Sequence, residues 1–284
     1  MNTAAAFGAS AQAIRSHYDV GDEFYRLWLD PTLTYSSGLW LAPSQGLEQA
    51  QINKIDWHLS HAGVHAGGRL LDVGCGWGGM MFHAVKQYSV RQAIGLTLSQ
   101  AQARSIASAA VPQVEVLCES WETHRPSQPY DAIVSVGAFE HFARLDQDPE
   151  HKVAGYRAFF QFCHDALLKG GRLSLQTIMY ETTDRSDFSR FFATEVFPES
   201  DLPRLDEIVR ASRGIFEILA LRNDRDDYES TLREWLRRLR SKRAEAVRQV
   251  GEAVVARYEH YFNLLIIGFH QASMNLGRIV LRRL

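Results

Sequence analysis

The stretch Arg69-Leu70-Leu71-Asp72-Val73-Gly74-Cys75-Gly76-Trp77-Gly78-Gly79 constrains this chain more than any other. An apolar run, Arg69–Val73, meets three alternating glycines and then a helix-forming segment, Gly78–Tyr88. Glycine permits the sharp turn and leaves room for a ligand. A helix N-terminus after such a turn favours negative charge. The alternation continues down the chain. Strands are predicted over Gln92–Leu96, Val114–Leu117, Ala132–Val136 and Arg172–Ile178, and helices over Ser99–Ala109 and Ala154–Leu168. The second helix runs into Gly170-Gly171, a C-cap signature. Apolar strands alternating with helices predict an α/β fold with a doubly wound, mostly parallel sheet. Ligands of such sheets lie beyond the carboxyl ends of the strands.

Four regions follow. Residues 1–65 carry helix formers and aromatics, including Asp22–Leu29, and predict a helical lid packed on something else. Residues 66–178 are the alternating core. Residues 179–213 interrupt it as a cap insertion, with a helix at Leu205–Ala211. Residues 214–284 complete the core, with a strand at Phe216–Leu221, a strongly helical Leu232–Phe269, and a last edge strand at Met274–Leu281. With 31 basic and 33 acidic side chains the net charge is −2, which disfavours a nucleic-acid partner. Three cysteines, Cys75, Cys118 and Cys163, have neither disulfide-framework nor zinc spacing. No metal is expected. The N-terminal residues lack a charged stretch followed by a long apolar run, and Leu264–Phe269 is too short to span a bilayer. The expectation is a soluble, cytoplasmic protein, with a homo-oligomer left open.

The dinucleotide fingerprint needs G-x-G-x-x-G and an acid about 20 residues on. Here the spacing is G-x-G-x-G, the acid, Asp72, precedes the loop, and the second strand ends in Gly95-Leu96-Thr97 without an acid. The loop resembles the S-adenosylmethionine (SAM) loop of class I methyltransferases. Ser120-Trp121-Glu122, after the third strand, falls where adenine lies in that fold, and a Trp face can stack on it. Gly137-Ala138-Phe139-Glu140-His141-Phe142 follows the fourth strand, at the reaction end.

Taken together, five ordered motifs resemble the cyclopropane fatty acid synthase family, especially its mycolic acid cyclopropane synthases. They are His17–Tyr25, Leu29–Ser36, Asp72–Gly79, Gly95–Ser99 and Val136–Phe142, and the likeness extends to Thr194-Glu195-Val196-Phe197-Pro198. The resemblance implies a Rossmann-like, seven-stranded sheet with helices on both faces. It implies that Tyr35 and Ser36 cover SAM, that Gly74 and Gly76 lie under its methionine part, and that Thr97, Leu98 and Gln102 hold the ribose and adenine edge. Ser120, Trp121 and Glu122 would frame the adenine, and Val136 and Gly137 would line the sulfonium end. S-adenosylhomocysteine would be the product.

In that family the methyl goes to an alkene carbon, and a bicarbonate ion takes a proton from the cation so that a ring closes. The resemblance matches Glu140, Tyr228 and Ile178 to its bicarbonate ligands. The cysteine position is Ser37 here, and the histidine position is Gln176. Ser and Gln still donate hydrogen bonds to an anion, so bicarbonate stays a candidate on a weakened ligand set. Glu140 is otherwise the base, the better choice over the phenol of Tyr228, while His141 supports it. Aromatic faces stabilise a developing cation, and Tyr18, Tyr35, Phe139, Phe142, Phe188, Phe192, Tyr228 and Trp235 are available.

The reading taken forward is a SAM-dependent C-methyltransferase acting through a carbocation-like state on a specialised-metabolite scaffold of prenyl or indole type. The changed ligands and the polar segment Glu181–Asp187 favour that scaffold. A cyclopropane or methyl-branch synthase on unsaturated acyl lipids and a small-molecule N-methyltransferase are the alternatives. The basic segment Arg233–Arg248 reads as a solvated helix face before it reads as an anion patch.

Overall fold

The computed structural model describes residue 8, residues 20–183 and residues 199–284. The chain runs α1 (Asp22–Arg26), α2 (Leu47–His61), β1 (Arg69–Val73), α3 (Gly79–Tyr88), β2 (Gln92–Leu96), α4 (Gln100–Ser108), β3 (Val114–Leu117) and β4 (Tyr130–Val136). After a short 3-10 turn at Phe139–His141 it continues as α5 (Pro149–Ala166), β5 (Leu167–Tyr180), α6 (Leu205–Ser212), β6 (Phe216–Asn223), α7 (Arg225–Ser241), α8 (Arg243–Val250), α9 (Glu252–His270) and β7 (Met274–Arg283). The strands form one sheet in the order β3-β2-β1-β4-β5-β7-β6. Pairing is parallel from β3 to β5, and β7 is antiparallel to both its neighbours.

Helices cover both faces. On one, Ile55 and Leu59 of α2 and Met81 of α3 pack with Leu70 and Val134. On the other, Phe159 and Phe160 of α5 and Ile208 of α6 pack with Leu71 and Leu173. Strand β1 is buried throughout, as a strand covered on both faces must be. Helix starts follow local chemistry. Asp148 caps α5 by accepting the Glu150 and His151 N–H groups at 3.0 Å each, ahead of Pro149 at the first helical turn. The Asp22–Leu29 aromatics pack on the last helices: Trp28 meets Trp235 at 5.7 Å and Phe262 at 5.2 Å between ring centroids.

Two expectations need correction. Met274–Leu281 is not an edge strand. It lies between β5 and β6 and is buried from Met274 to Leu281, as an interior strand must be, with Asn275 and Arg278 buried among its apolar residues. The edge is β6. Gly170-Gly171 does not cap α5, which ends at Ala166 and passes straight into β5. Gly170, with φ +75°, shapes an irregularity inside that strand, where the register jumps from Tyr130↔Leu167 to Ala132↔Arg172. Leu232–Phe269 is helical as expected, in segments of α7, α8 and α9 parted at Lys242 and at Gly251, whose φ of +84° an L residue rarely adopts. No helix among the described residues is long and apolar enough to cross a membrane.

Candidate active site

A cavity of about 370 Å³ opens beyond the carboxyl ends of β1, β2 and β4. Its floor is the glycine loop. The Gly74 and Cys75 N–H groups donate to the Leu96 carbonyl at 2.9 and 3.0 Å, tying the loop to the end of β2. Gly74 (φ +82°), Gly76 (φ +54°) and Gly137 (φ +72°) all present bare backbone to the cavity in left-handed conformations. A Cβ at Gly74 would stand 2.4 Å from the Ala138 Cβ, so the β1 and β4 loops approach too closely for a side chain. Gly74→Ala is expected to cost about 1–2 kcal/mol from the backbone conformation alone, and more from that collision. Thermal melting should show the loss, and titration with S-adenosylhomocysteine should show affinity at least ~10-fold weaker.

The end of β2 is organised without an acid. The Thr97 hydroxyl donates to Gln102 Oε1 at 2.7 Å and accepts the Ser99 N–H at 3.1 Å, while Leu98 lines the cavity beside them. From β3 come Ser120, Trp121 and Glu122, with the Ser120 hydroxyl accepting the Glu122 N–H at 3.2 Å. Trp121 lines the cavity and also belongs to the core, its ring centroid 5.4 Å from those of Phe142 and Phe159. Val136, Gly137, His141 and Phe142 line the β4 side, and Tyr35 and Ser36 close over from the N-terminal segment. All thirteen residues expected around the cofactor, Asp72 among them, therefore meet on one cavity. Cys75 serves packing: a Cβ added at Gly95 would lie 2.7 Å from its Sγ.

The expected reaction residues are arranged differently. Glu140 is 2% exposed and does not line this cavity. Its Oε1 accepts the Ile178 N–H at 2.7 Å, and its Oε2 is buried with no hydrogen-bond partner among the described residues. Burial pushes its carboxyl up to about 7, against the opposing pull of the Ile178 N–H. His141 Nδ1 bonds the Ser200 hydroxyl at 2.7 Å, and burial lowers the imidazole to about 4, so it is neutral at pH 7. Phe139 belongs to the core, fully buried and stacked on Tyr156 at 4.4 Å, because its ring points from the turn back into α5. Tyr228 sits within the aromatic cluster of α1, α7 and α9, against Phe269 at 4.7 Å.

Ser37 and Gln176 also lie off the cavity, inside a buried polar network. The Ser37 hydroxyl donates to the Gly38 carbonyl at 2.9 Å. Gln176 Oε1 accepts from Arg278 Nε at 2.8 Å and pairs with His58 Nε2 at 3.3 Å. Arg278 is fully buried and reaches Asp224, Asp227 and the Gly38 carbonyl as well. Protein groups thus hold both Ser37 and Gln176, the two side chains the resemblance set at an anion site. Tyr18, Phe188, Phe192, the motif Thr194–Pro198 and part of Glu181–Asp187 lie outside the described residues. The basic segment is largely self-paired, with Arg233 on Glu229 at 2.6 Å, Arg237 on Glu234 at 2.7 Å and Arg238 on Glu48 at 2.8 Å, while Trp235, Leu236 and Leu239 are buried beneath it.

Among the cavity residues that the motifs did not single out, one is charged and buried. Lys54 of α2 lines the cavity, is 1% exposed, and donates from Nζ to the Ser36 hydroxyl at 2.8 Å. A signal existed. Leu47, Gln51, Lys54, Ile55 and His58 recur at helical spacing, and that spacing marks the buried face of α2. Three polar side chains on such a face call for partners or a ligand. Among the described residues no group of three or more His, Cys, Asp or Glu is placed to hold a metal.

These residues fit SAM. The cavity volume lies within the range of about 300–1,000 Å³ usual for such sites. Bare glycine backbone, a paired Thr97–Gln102 edge, and buried Asp72 and Lys54 match an adenosine with an amino-acid tail. The strand order and this cavity together define a class I SAM-dependent methyltransferase. Residues 8–279 match the family model described as mycolic acid cyclopropane synthetase, and the chain belongs to that family. It is 36% identical over 271 residues to cyclopropane mycolic acid synthase 2 of Mycobacterium leprae, covering 88% of this chain and 86% of that protein. It superposes on the cyclopropane synthase MmaA2 from Mycobacterium tuberculosis with a TM-score of 0.88 at 32% identity, covering 97% of this chain and 99% of the other. On the mycolic acid cyclopropane synthase CmaA1, solved with S-adenosylhomocysteine and CTAB, the TM-score is 0.87 at 31% identity, covering 98% and 99%.

Proposed function

We propose that this enzyme methylates an alkene carbon of an unsaturated acyl chain, giving a cyclopropane or a methyl branch, with Glu140 as the proton acceptor. The observation that carries the reading is the buried Glu140 carboxyl group, one oxygen of which has no hydrogen-bond partner among the described residues, in a chain 36% identical to a cyclopropane mycolic acid synthase. The relatives' names support the acyl-lipid alternative better than the prenyl or indole scaffold.

When bound, SAM supplies an electrophilic methyl on a sulfonium that leaves neutral. The alkene π pair forms the new C–C bond, and positive charge develops on the adjacent carbon. Glu140 Oε1 is held by the Ile178 N–H, so Oε2 is the oxygen left to take a proton. If that proton comes from the transferred methyl, its C–H pair closes the ring. If it comes from a chain carbon, a methylated alkene results. Alignment and exclusion of water carry much of the rate in such a displacement. The walls formed by Tyr35, Val136 and Phe142 contribute to that exclusion.

Incubation with SAM and phospholipids bearing cis-monounsaturated chains tests the reading. The expected product is one methylene heavier by mass spectrometry, and upfield cyclopropyl protons in NMR separate ring from branch. Turnover of a small amine or prenyl compound, with none on lipid, would overturn it.

A further inference from the structure

We propose that Lys54 and Asp72 read the zwitterionic amino-acid end of SAM, with Lys54 as the counter-ion of its carboxylate and Asp72 facing its ammonium. The inference rests on SAM occupying the cavity described above, and it assigns a role to a residue that none of the loop motifs contains.

The two side chains face the same cavity from different elements, Lys54 from α2 and Asp72 from the end of β1. Both are almost fully buried, at 1% and 3% exposure. Among the described residues Lys54 has one hydrogen-bond partner, the neutral Ser36 hydroxyl, and no carboxylate within ion-pair distance. Asp72 makes neither a side-chain hydrogen bond nor an ion pair there. Two opposite charges are thus buried on one cavity without being paired to each other. An unpaired buried charge is strongly unfavourable, and desolvation draws both groups toward neutrality, Lys54 down to about 7 and Asp72 up to about 7. Arg278 lowers Lys54 further, while Asp30 and Asp72 oppose the drop.

A ligand carrying one anion and one cation at the same end relieves both groups at once. SAM has one carboxylate and one ammonium, both on its methionine part. Gly74 and Gly76 line the same cavity as Asp72 and carry no side chain to compete. Ser36 holds the Lys54 ammonium in place, so the ion pair forms on a preorganised donor.

The test compares S-adenosylhomocysteine with its decarboxylated analogue, which keeps the ammonium, by titration calorimetry. The wild-type protein should prefer the carboxylate-bearing ligand by ~10–100-fold, the range for a hydrogen bond to a charged group. Lys54→Met should weaken S-adenosylhomocysteine to the level of the analogue and leave the analogue within ~3-fold of wild type. Lys54→Gln, which keeps a donor for Ser36, should do the same, and Lys54→Arg should retain most of the preference. A wild-type preference near unity overturns the proposal whatever the variants do. So does a preference that survives in either neutral variant. Failure of the wild-type protein to bind S-adenosylhomocysteine at all would instead strike the cofactor assignment of the cavity.

Discussion

Glu140→Gln is expected to lower kcat on an unsaturated lipid by about 10²–10⁴-fold, the usual contribution of a positioned proton acceptor. Its affinity for S-adenosylhomocysteine should change little, because Glu140 does not line the cofactor cavity. The amide preserves the shape and can still accept the Ile178 N–H through its oxygen. What it loses is a basic oxygen at the Oε2 position, buried and without a partner among the described residues. The wild-type rate should rise as pH passes about 7, where the carboxylate form takes over, and the variant's residual rate should lack that step. Stability moves the other way. The folded-state value of about 7 lies above the ordinary 4.5, so Glu140 contributes stability that is full below about 4.5 and is lost as pH rises through 7. At one pKa unit per 1.36 kcal/mol the loss is of order 3 kcal/mol. Glu140→Gln should therefore melt higher than wild type above pH 7 while turning over far more slowly. Undiminished kcat would reduce Glu140 to a clamp on the Ile178 backbone.

Arg278→Met is expected to destabilise the fold by about 3–5 kcal/mol, the scale for removing one partner of a buried ion pair. Arg278 is fully buried and donates to Asp224, Gln176 Oε1 and the Gly38 carbonyl. Its loss leaves Asp224 with Arg222, which is partly exposed, as its remaining cation. Asp227, already drawn up to about 6 by burial, loses the guanidinium that opposes that rise. Urea unfolding measures the effect, and adding Asp224→Asn should recover part of it by removing the stranded charge. A loss under about 1 kcal/mol would mean that water reaches the network, as it does around surface pairs.

The parts of the site legible in the sequence share one property: their chemistry is local. Gly74 and Gly76 had to be glycine because the turn there is left-handed, and Thr97 and Gln102 sit five residues apart on one strand–helix junction. Lys54 and Arg278 were not legible. Lys54 meets Ser36, and Arg278 meets Gly38 and Gln176 across separations of 240 and 102 residues. Neither carries a motif, and a lysine on a helix or an arginine near a chain end most often reads as surface. Phe139 failed for a related reason. Its turn belongs to the site, yet which way one ring of that turn points depends on where α5 packs.

Strand–helix alternation, the glycine turn and the ordered motifs determined the fold class, the cofactor and the family, since periodicity and turn chemistry act within a few residues and leave their mark on the chain. Tertiary structure alone decided three things. It placed β7 inside the sheet, because edge or interior depends on which strand pairs last. It turned Ser37 and Gln176 into members of a buried arginine network. It also buried one Glu140 oxygen away from every hydrogen-bond partner among the described residues. Each depends on groups far apart in sequence brought into a space without water, where the cost of an unpaired charge is set by every neighbour at once.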